Sequence, residues 1–390
     1  MNTRKTEKTT NSRLFNKGIL PVAVATAMFG AGAASAFSIT TDATIDNQTG
    51  GNSTTNYLVH DNVTLSTNSS MSVYYGTLDG VQTNSNTAGA GMVVVGGNLT
   101  VHGNVGGSVG LGNFTISEWN SLTLASNVST FNSDNMTLSD NTVLNFGNVT
   151  SGYNRGSSET LTFASNITMG SNSTINVGNG TTLNGNIYGA GTLNVLGNFT
   201  STGSIGAAQV DGADFITSGL EQINISKGNT FTLNNNATAT RMNINGTVTV
   251  AGNITAAVTM GADGILNLNN ESGDDNAAKV VGAIQSYVAG TAQGTLNING
   301  TFTTQGAIGQ GGKGLAAINL SNSTWANGFT TTFAHNVNAT TIQIGTATTQ
   351  NNATLQITAG GTSAGVNIAV TGNIIGGGNA TSIDNAAGGI

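Results

Sequence analysis

One stretch of sixteen residues occurs twice in this sequence, and no other feature constrains the fold as strongly. Residues 191–206 read GTLNVLGNFTSTGSIG and residues 294–309 read GTLNINGTFTTQGAIG, so the two copies align without a gap. The copies keep their glycines, their one phenylalanine and their alternating aliphatic residues in register. Self-similarity of this kind is typical of folds built from stacked repeats. The sequence therefore predicts similar structural units that lie side by side.

Short segments in which aliphatic residues alternate with Thr, Asn or Gln recur from Gly91 onward. Leu99-Thr-Val101, Leu193-Asn-Val195 and Leu266-Asn-Leu268 are typical members of the series. A period of two residues predicts a β-strand with one buried face. Glycine and Asn-Gly steps separate the segments, and they supply the positive φ that a sharp corner needs. The pattern predicts an all-β fold of many short strands.

Two β architectures fit such a series, an antiparallel meander or sandwich and a parallel β-helix. Asn-Gly steps between strands favour two-residue hairpins, which supports the meander. The strands are unusually short, however, and a glycine or asparagine follows nearly every one of them. In a β-helix each such corner starts a new face, and successive coils stack at about 4.8 Å. We therefore expect a parallel β-helix (a β-solenoid), with asparagine side chains stacked into ladders at its corners.

The beginning of the chain has the pattern of a secretory signal peptide. Basic residues run to Lys17, a short apolar core follows, and Ala34-Ser35-Ala36 forms an A-x-A cleavage site just before Phe37. The apolar core is too short to span a bilayer comfortably. We expect cleavage after Ala36.

The remaining chain divides near residue 90 into an irregular part and a rhythmic part. Residues 37–90 hold isolated strand-like pieces, and we expect an N-terminal cap or an irregular β region that protects the first coil. Residues 91–390 are predicted to form the solenoid itself, and residues 1–36 the signal peptide.

Charge is scarce and unevenly distributed. Charged residues make up 7% of the chain, and after residue 36 sixteen acidic residues face only five basic ones. Binding to nucleic acid requires clustered Lys and Arg, so the sequence predicts no nucleic-acid partner. The chain has no cysteine, which is consistent with passage through an oxidising periplasm.

Residues with catalytic or metal-binding potential are few and scattered. Glycoside hydrolysis needs two facing carboxylates, and the close acidic pairs Asp211/Asp214 and Asp274/Asp275 lie in Gly- or Asn-rich insertions typical of solvated loops. The three histidines lack metal-ligand spacing: His60, His102 and His335. We expect no catalytic residue, no cofactor and no metal.

Three weaker patterns complete the search for a site. Gly261-Ala-Asp-Gly-Ile265 weakly resembles a calcium-binding nonapeptide repeat. That motif binds calcium only as several consecutive copies, whereas here it occurs once. Pairs such as Thr247-Val-Thr249 suggest ice-binding solenoids, but they do not recur at fixed intervals. Trp119 and Trp325 fit either exposed platforms for a sugar or plugs of a coil end.

Repeat texture over residues 90–390, behind a signal peptide, resembles the passenger region of bacterial autotransporter adhesins. Three stretches are similar in style to repeats of the rickettsial outer-membrane surface antigens: GTLNVLGNFTSTGSIGA, INISKGNTFTLNNNATATRMNINGTVTVAGNI and GQGGKGLAAINL. The resemblance implies a right-handed β-helix, exposed on the cell surface, that adheres to host cells or forms a coat. It implies as partners a host-cell surface protein or glycan, or neighbouring copies.

The family also carries a C-terminal translocator β-barrel, which this sequence does not show. No series of amphipathic strands with aromatic girdles precedes Ile390. We therefore expect secretion to the periplasm through the signal peptide, and a place at the cell surface or outer membrane if the chain is joined to a translocator. The expected function is non-catalytic adhesion or coating; the alternative is a β-helix enzyme that degrades polysaccharide.

Overall fold

The computed structural model describes residues 36–45, 56–68, 73–81, 89–146, 160–207, 210–211, 214–215, 219–269, 278–321, 329–345, 353–357, 369–376 and 381–385. Within these ranges the chain forms β-strands and no helix. The part of the chain described thus contains no helix with the length and apolar character to cross a lipid bilayer. The predicted signal peptide, with Ala34, lies outside the described residues except for Ala36.

The strands are short and follow one another closely. In chain order they are β1 (Ala36–Ile39), β2 (Ala43–Ile45), β3 (Asn56–His60), β4 (Thr64–Thr67), β5 (Val73–Tyr74), β6 (Leu78–Val81), β7 (Met92–Val95), β8 (Leu99–Val101), β9 (Leu111–Ile116), β10 (Ser121–Leu124), β11 (Thr130–Leu138), β12 (Val143–Phe146), β13 (Leu161–Met169), β14 (Thr174–Val177), β15 (Thr181–Leu183), β16 (Ile187–Gly189), β17 (Thr192–Val195), β18 (Phe199–Ser201), β19 (Ile205–Ala207), β20 (Val210–Asp211), β21 (Asp214–Phe215), β22 (Leu220–Ile225), β23 (Thr230–Leu233), β24 (Ala237–Ile244), β25 (Thr247–Val250), β26 (Ile254–Met260), β27 (Ile265–Asn269), β28 (Ala278–Val281), β29 (Ile284–Ser286), β30 (Thr295–Asn299), β31 (Phe302–Thr304), β32 (Leu315–Ser321), β33 (Phe329–Phe333), β34 (Val337–Ile344), β35 (Ala353–Ile357), β36 (Val370–Gly376) and β37 (Thr381–Asn385).

Parallel pairing arranges these strands in three columns, which we name faces A, B and C. Face A contains β1, β3, β6, β15, β18, β23, β25, β27, β30 and β32. Face B contains β2, β4, β7, β9, β16, β19, β28, β31, β33, β35 and β37. Face C contains β5, β8, β10, β12, β14, β17, β22 and β29. The long strands β11, β13, β24, β26, β34 and β36 cross from one face to the next.

The chain visits the faces in the order A, B, C and then returns to A one coil further on. Strands β15, β16 and β17 form one coil, and β18 then pairs in parallel with β15. Every pairing among the described strands is parallel except that of β20 with β21, a hairpin inserted between faces B and C. The prediction of a parallel β-helix is therefore confirmed, and the antiparallel meander is excluded. The right-handed sense of the coil stays a prediction.

Inward side chains of the three faces meet in one continuous apolar core. Stacking places like positions of successive coils over one another, which explains why alternation persists through the sequence. Full burial of one such side chain stabilises the fold by about 1.5–3 kcal/mol. The inward column of face C consists of buried residues in unbroken register: Val101, Leu124, Phe146, Val177, Val195, Ile225, Ile244 and Met260.

Coil length varies although the stacking does not. Asn236 and Asn253 occupy adjacent coils 17 residues apart, whereas Ser133 and Ser165 are 32 residues apart and yet hydrogen-bond through their hydroxyls at 2.9 Å. The surplus residues of a long coil leave the stack at its corners, as hairpin β20–β21 does. Equal spacing along the sequence is therefore unnecessary for equal spacing in the structure.

The two copies of the sixteen-residue repeat lie on different faces. In the first copy residues 192–195 form β17 on face C, whereas in the second residues 295–299 form β30 on face A. Equivalent positions nevertheless keep the same environment, and both sets of inward residues are buried: Leu193, Val195, Phe199 and Ile205 in the first copy, and Leu296, Ile298, Phe302 and Ile308 in the second. The repeating unit is thus one strand with its corner, not one complete coil.

The region predicted as a cap or irregular β region, residues 37–90, contributes strands to the same columns. β1, β3 and β6 pair in parallel on face A, and bridges through Val105 continue that column to Phe131. Aromatic rings fill this end of the core, since Tyr57 contacts Phe37 edge-on at 6.0 Å and stacks on Tyr74 at 5.8 Å. That the region protects the first coil stays a prediction.

Asparagine side chains form a hydrogen-bonded ladder on the outside of face C. From its second member on, each side-chain amide nitrogen donates to the amide oxygen of the asparagine in the coil before it, at 2.8–2.9 Å. The first of them, Asn145, donates to Thr123 Oγ1 at 3.0 Å. The ladder consists of Asn145, Asn176, Asn194, Asn224 and Asn243. A second ladder on face A joins Asn267, Asn297 and Asn319.

Both ladders run through the middle of strands, whereas at the described corners the expected ladders occur only as single amide-to-amide bonds, from Asn172 to Asn141 at 3.4 Å and from Asn186 to Asn166 at 3.3 Å. Other corner asparagines accept backbone N–H groups of the next coil with their side-chain oxygens, as Asn98 does from Ser121 at 2.9 Å and Asn198 from Thr230 at 3.0 Å. The physical reason is spacing, because stacked strands hold their side chains at one repeat distance, whereas corners differ in length from coil to coil.

Replacing Asn194 with alanine should lower the free energy of unfolding by about 1–2 kcal/mol, because it removes one donor and one acceptor from a half-buried ladder. Chemical denaturation followed by circular dichroism measures the change. Thr192→Ala, two residues earlier on the same strand, is the matched control and should have a much smaller effect. Equal losses in the two variants would contradict a role of the ladder in stability.

Candidate binding site

Most residues that the sequence singles out lie apart from one another. The ring of His60 hydrogen-bonds with Ser38 Oγ at 2.6 Å, and His102 stacks on Tyr75 with centroids 4.5 Å apart. His335 is exposed in the corner between β33 and β34. The described residues hold no group of three His, Cys, Asp or Glu side chains that could bind a metal ion.

The two acidic pairs named from the sequence are described only in part. Asp211 and Asp214 are backbone partners across hairpin β20–β21, whereas Asp274 and Asp275 lie outside the described residues. Other carboxylates close corners by accepting backbone N–H groups of the next coil, at 2.7–3.0 Å: Asp42 from Thr64, Asp79 from Ser108 and Asp140 from Ser171. Burial raises the pKa of Asp134, at the crossing of β11 from face A to face B.

Two aromatic side chains project far into solvent. Trp119 is 72% exposed in the turn between β9 and β10, where its φ is 65°. Tyr287 is 70% exposed directly after β29, at the corner between faces C and A. Trp325 lies outside the described residues. Both tryptophans are predicted from the sequence as sugar platforms or coil plugs, whereas no sequence pattern points to Tyr287.

A groove of 340 Å³ opens beside Tyr287 on face C. Its lining is neutral throughout: Asn224, Ile225, Ser226, Asn243, Asn245, Thr259, Gly261 and Tyr287. Small-molecule sites usually have volumes of about 300–1,000 Å³ and are oriented by a few polar groups. The groove therefore has the size and the polar groups to hold one small ligand.

A glycine creates the groove. Strands β22, β24, β26 and β29 end in register on face C, so the next residues of the four coils form a column: Ser226, Asn245, Gly261 and Tyr287. Gly261 has no side chain at its position in this column. A Cβ on Gly261 would lie only 2.0 Å from Asn245 Oδ1, so the amide of Asn245 extends into the space that the glycine leaves. A notch results between the Asn245 amide and Tyr287.

The asparagine ladder of face C ends at this groove. Asn243 donates to Asn224 at 2.8 Å, but the next coil has Thr259 in the ladder position. Within the described residues, neither Asn243 Oδ1 nor Thr259 Oγ1 has a hydrogen-bond partner. The ladder thus presents a carbonyl oxygen and a hydroxyl group to a ligand.

The backbone around Tyr287 is held firmly from both sides. Its N–H donates to the carbonyl of Met260 at 2.8 Å. The buried Ser286 hydroxyl shares its one proton between two acceptors within reach, the carbonyls of Val288 (2.8 Å) and Thr291 (3.0 Å). The N–H of Gly290 donates to the carbonyl of Gly312 at 2.8 Å. An exposed ring on a fixed backbone loses little freedom when a ligand binds.

An ion pair flanks the groove without entering its lining. Lys227 Nζ lies 2.8 Å from Asp263 Oδ2, and the hydrogen bond to Asp263 raises the pKa of Lys227. Asp263 is the acidic residue of the sequence that echoes a calcium nonapeptide, and here its carboxylate contacts a lysine. The local charges therefore balance, and the groove favours neither an anion nor a cation.

The groove offers amide donors and acceptors, hydroxyl groups and one aromatic ring. It has no carboxylate, histidine or lysine in its lining that could transfer a proton. Its chemistry therefore suits binding. The sequence matches no protein-family profile, no curated protein and no solved structure.

Proposed function

We propose that this chain is a secreted bacterial surface protein of the autotransporter-passenger type, which acts by binding in adhesion to host cells or in a surface coat. The observation that carries the proposal is the long stack of coils with Asn and Thr on its outer faces and few charges. A stack of this kind displays many corners and loops on one rigid support. Solenoids are well suited to extended binding surfaces for this reason.

A non-catalytic role agrees with the placement of the described acidic residues. Asp42, Asp79 and Asp140 are engaged in corner closure, and Asp263 is paired with Lys227. The alternative, a polysaccharide-degrading enzyme on a β-helix, requires two carboxylates across a sugar bond. No observation on the described faces favours it.

The proposed location follows from the signal-peptide pattern and the family resemblance. Cleavage between Ala36 and Phe37 would fall inside β1, and Phe37 would become the first residue of face A. We propose export to the periplasm and display at the cell surface or outer membrane when the chain is joined to a translocator. Host-cell proteins, glycans or neighbouring copies are the proposed partners.

Adhesion and coating can be distinguished in one experiment. Latex beads coated with the purified chain are added to cultured epithelial cells, and beads with the heat-unfolded chain serve as control. Attachment above the control supports adhesion, whereas ordered layers of the chain without attachment support a coat. Fractionation of source cells tests the location. We expect the chain in the outer-membrane fraction, and we expect protease added to intact cells to remove it. The proposal would be contradicted if the beads did not attach, no layers formed and the chain were found only in the cytoplasm.

A further inference from the structure

We infer that the groove between Asn245 and Tyr287 binds a neutral saccharide unit, an inference that rests on the proposed binding function and assigns it a site. Tyr287 is 70% exposed on a fixed backbone beside the groove, so its ring face is open to a ligand. The apolar side of a sugar ring, formed by C–H groups, matches such a ring face.

The polar lining of the groove matches sugar hydroxyl groups. A hydroxyl both donates and accepts a hydrogen bond, and an asparagine amide offers one acceptor and two donors side by side. Asn243 presents its unpaired carbonyl oxygen, Thr259 presents a hydroxyl, and Asn245 presents an amide at the notch. Neighbouring hydroxyls of a sugar can therefore pair with these groups at once.

The ladder strengthens the acceptor at its end. All four amide-to-amide hydrogen bonds point the same way, with each nitrogen donating toward the N-terminal coil. Hydrogen bonds in a chain polarise one another. Asn243 Oδ1 is the terminal acceptor of that chain, so it should accept strongly from a ligand hydroxyl.

Charge excludes the other common ligands. An anionic sugar or phosphate would need a free cation, but the neighbouring Lys227 is paired with Asp263. A metal ion or a basic peptide would need a carboxylate, and the lining has none. The uncharged amide and hydroxyl groups of the lining therefore favour a neutral saccharide.

Titration of the purified chain with maltohexaose, cellohexaose, chitohexaose and mannohexaose, followed by saturation-transfer NMR and calorimetry, tests the inference. We expect at least one of the four to bind. Tyr287→Ala should weaken that binding by about tenfold or more, whereas Tyr287→Phe keeps the ring and should retain it.

A second variant removes the notch without removing the ring. In Gly261→Ala the added Cβ meets the flexible tip of Asn245 and no backbone atom closer than 3.8 Å. The fold should therefore persist, with an unchanged thermal midpoint, while the displaced amide weakens sugar binding. Trp119→Asn is the control, because it removes an equally exposed aromatic ring elsewhere and suits the positive φ at that position.

Three results would overturn the inference. They are no binding of any of the four oligosaccharides at about 10 mM, binding that survives both Tyr287→Ala and Gly261→Ala, or binding of a heparin hexasaccharide alone. The bead assay separates this inference from the proposed function. Beads that attach equally with wild type and Tyr287→Ala leave adhesion intact and reject the groove. Sugar binding that depends on Tyr287, without attachment of the beads to cells, supports the groove and contradicts adhesion.

Discussion

Gly306→Ala is expected to lower the free energy of unfolding by about 3 kcal/mol or more, because overpacking against a rigid backbone leaves no room to adjust. A Cβ on Gly306 would lie only 1.7 Å from the carbonyl oxygen of Gly282 in the coil below. A Cβ on Gly203, the equivalent glycine of the first repeat, would lie only 2.1 Å from the carbonyl oxygen of Gly185. In both copies, therefore, a glycine stacks directly over a glycine, and Gly203→Ala should have a similar effect.

Gly107→Ala is the matched control for these two variants. A Cβ on Gly107 would have its nearest neighbour at an ordinary 3.6 Å, so this change should leave stability almost unaltered. Guanidinium denaturation of the three variants side by side makes the comparison. If Gly306→Ala were as stable as Gly107→Ala, the close approach of the two coils at this corner would be disproved.

Phe131→Ala is expected to cost about 3–5 kcal/mol of unfolding free energy, because it leaves a cavity among aromatic rings that cannot collapse easily. Phe131 is fully buried, stacks on Phe163 at 4.4 Å and meets Phe114 edge-on at 5.1 Å. Each repeat of a solenoid contacts only its neighbours. The damage should therefore be local, confined to the coils that carry these rings.

Hydrogen exchange measured by mass spectrometry resolves where that damage occurs. Faster exchange is expected in β9, β11 and β13, with little change in β27 and beyond. Thr130→Ala, the adjacent outward residue on the same strand, controls for loss of side-chain volume and should leave exchange nearly unchanged. Uniform acceleration along the whole chain would refute the nearest-neighbour picture.

The strand type, the parallel pairing and the buried positions could all be predicted from the sequence. Alternation in segments such as Leu193-Asn-Val195 determines which side chains face inward, and glycine-bearing corners determine that the chain turns. The face on which a strand lies could not be predicted. It depends on how many strand–corner units precede it, and insertions such as hairpin β20–β21 hide that number.

The threonine residues illustrate this limit of sequence intervals. Their pairs recur irregularly along the chain, yet six threonines form one outward column on face A: Thr130, Thr162, Thr182, Thr200, Thr232 and Thr249. Irregular intervals are thus poor grounds for rejecting a regular array. An ice-binding plane also needs a second column, and in the middle of face A Thr-x-Thr pairs with Thr-x-Thr where Thr230 and Thr232 lie under Thr247 and Thr249.

The groove beside Tyr287 could not be found from the sequence for a similar reason. Its residues come from four coils and are far apart in the chain. Gly261 was notable only as part of a calcium-like motif, whereas its importance lies in the side chain that it lacks between Asn245 and Tyr287. Only the register of β24, β26 and β29 brings these positions together.

The displacement of the two sequence copies onto different faces bears on how such a chain can lengthen. Every face demands the same order of inward and outward residues, so a duplicated gene segment can be inserted without matching a full turn. An insertion of one strand and its corner moves every later strand onto the next of the three faces, and the inward positions still carry apolar residues. The insertion changes the face on which every later surface residue lies, and it therefore changes which loops lie on the same side of the solenoid. Duplication in this architecture therefore redistributes binding surfaces around the axis and leaves the interior intact.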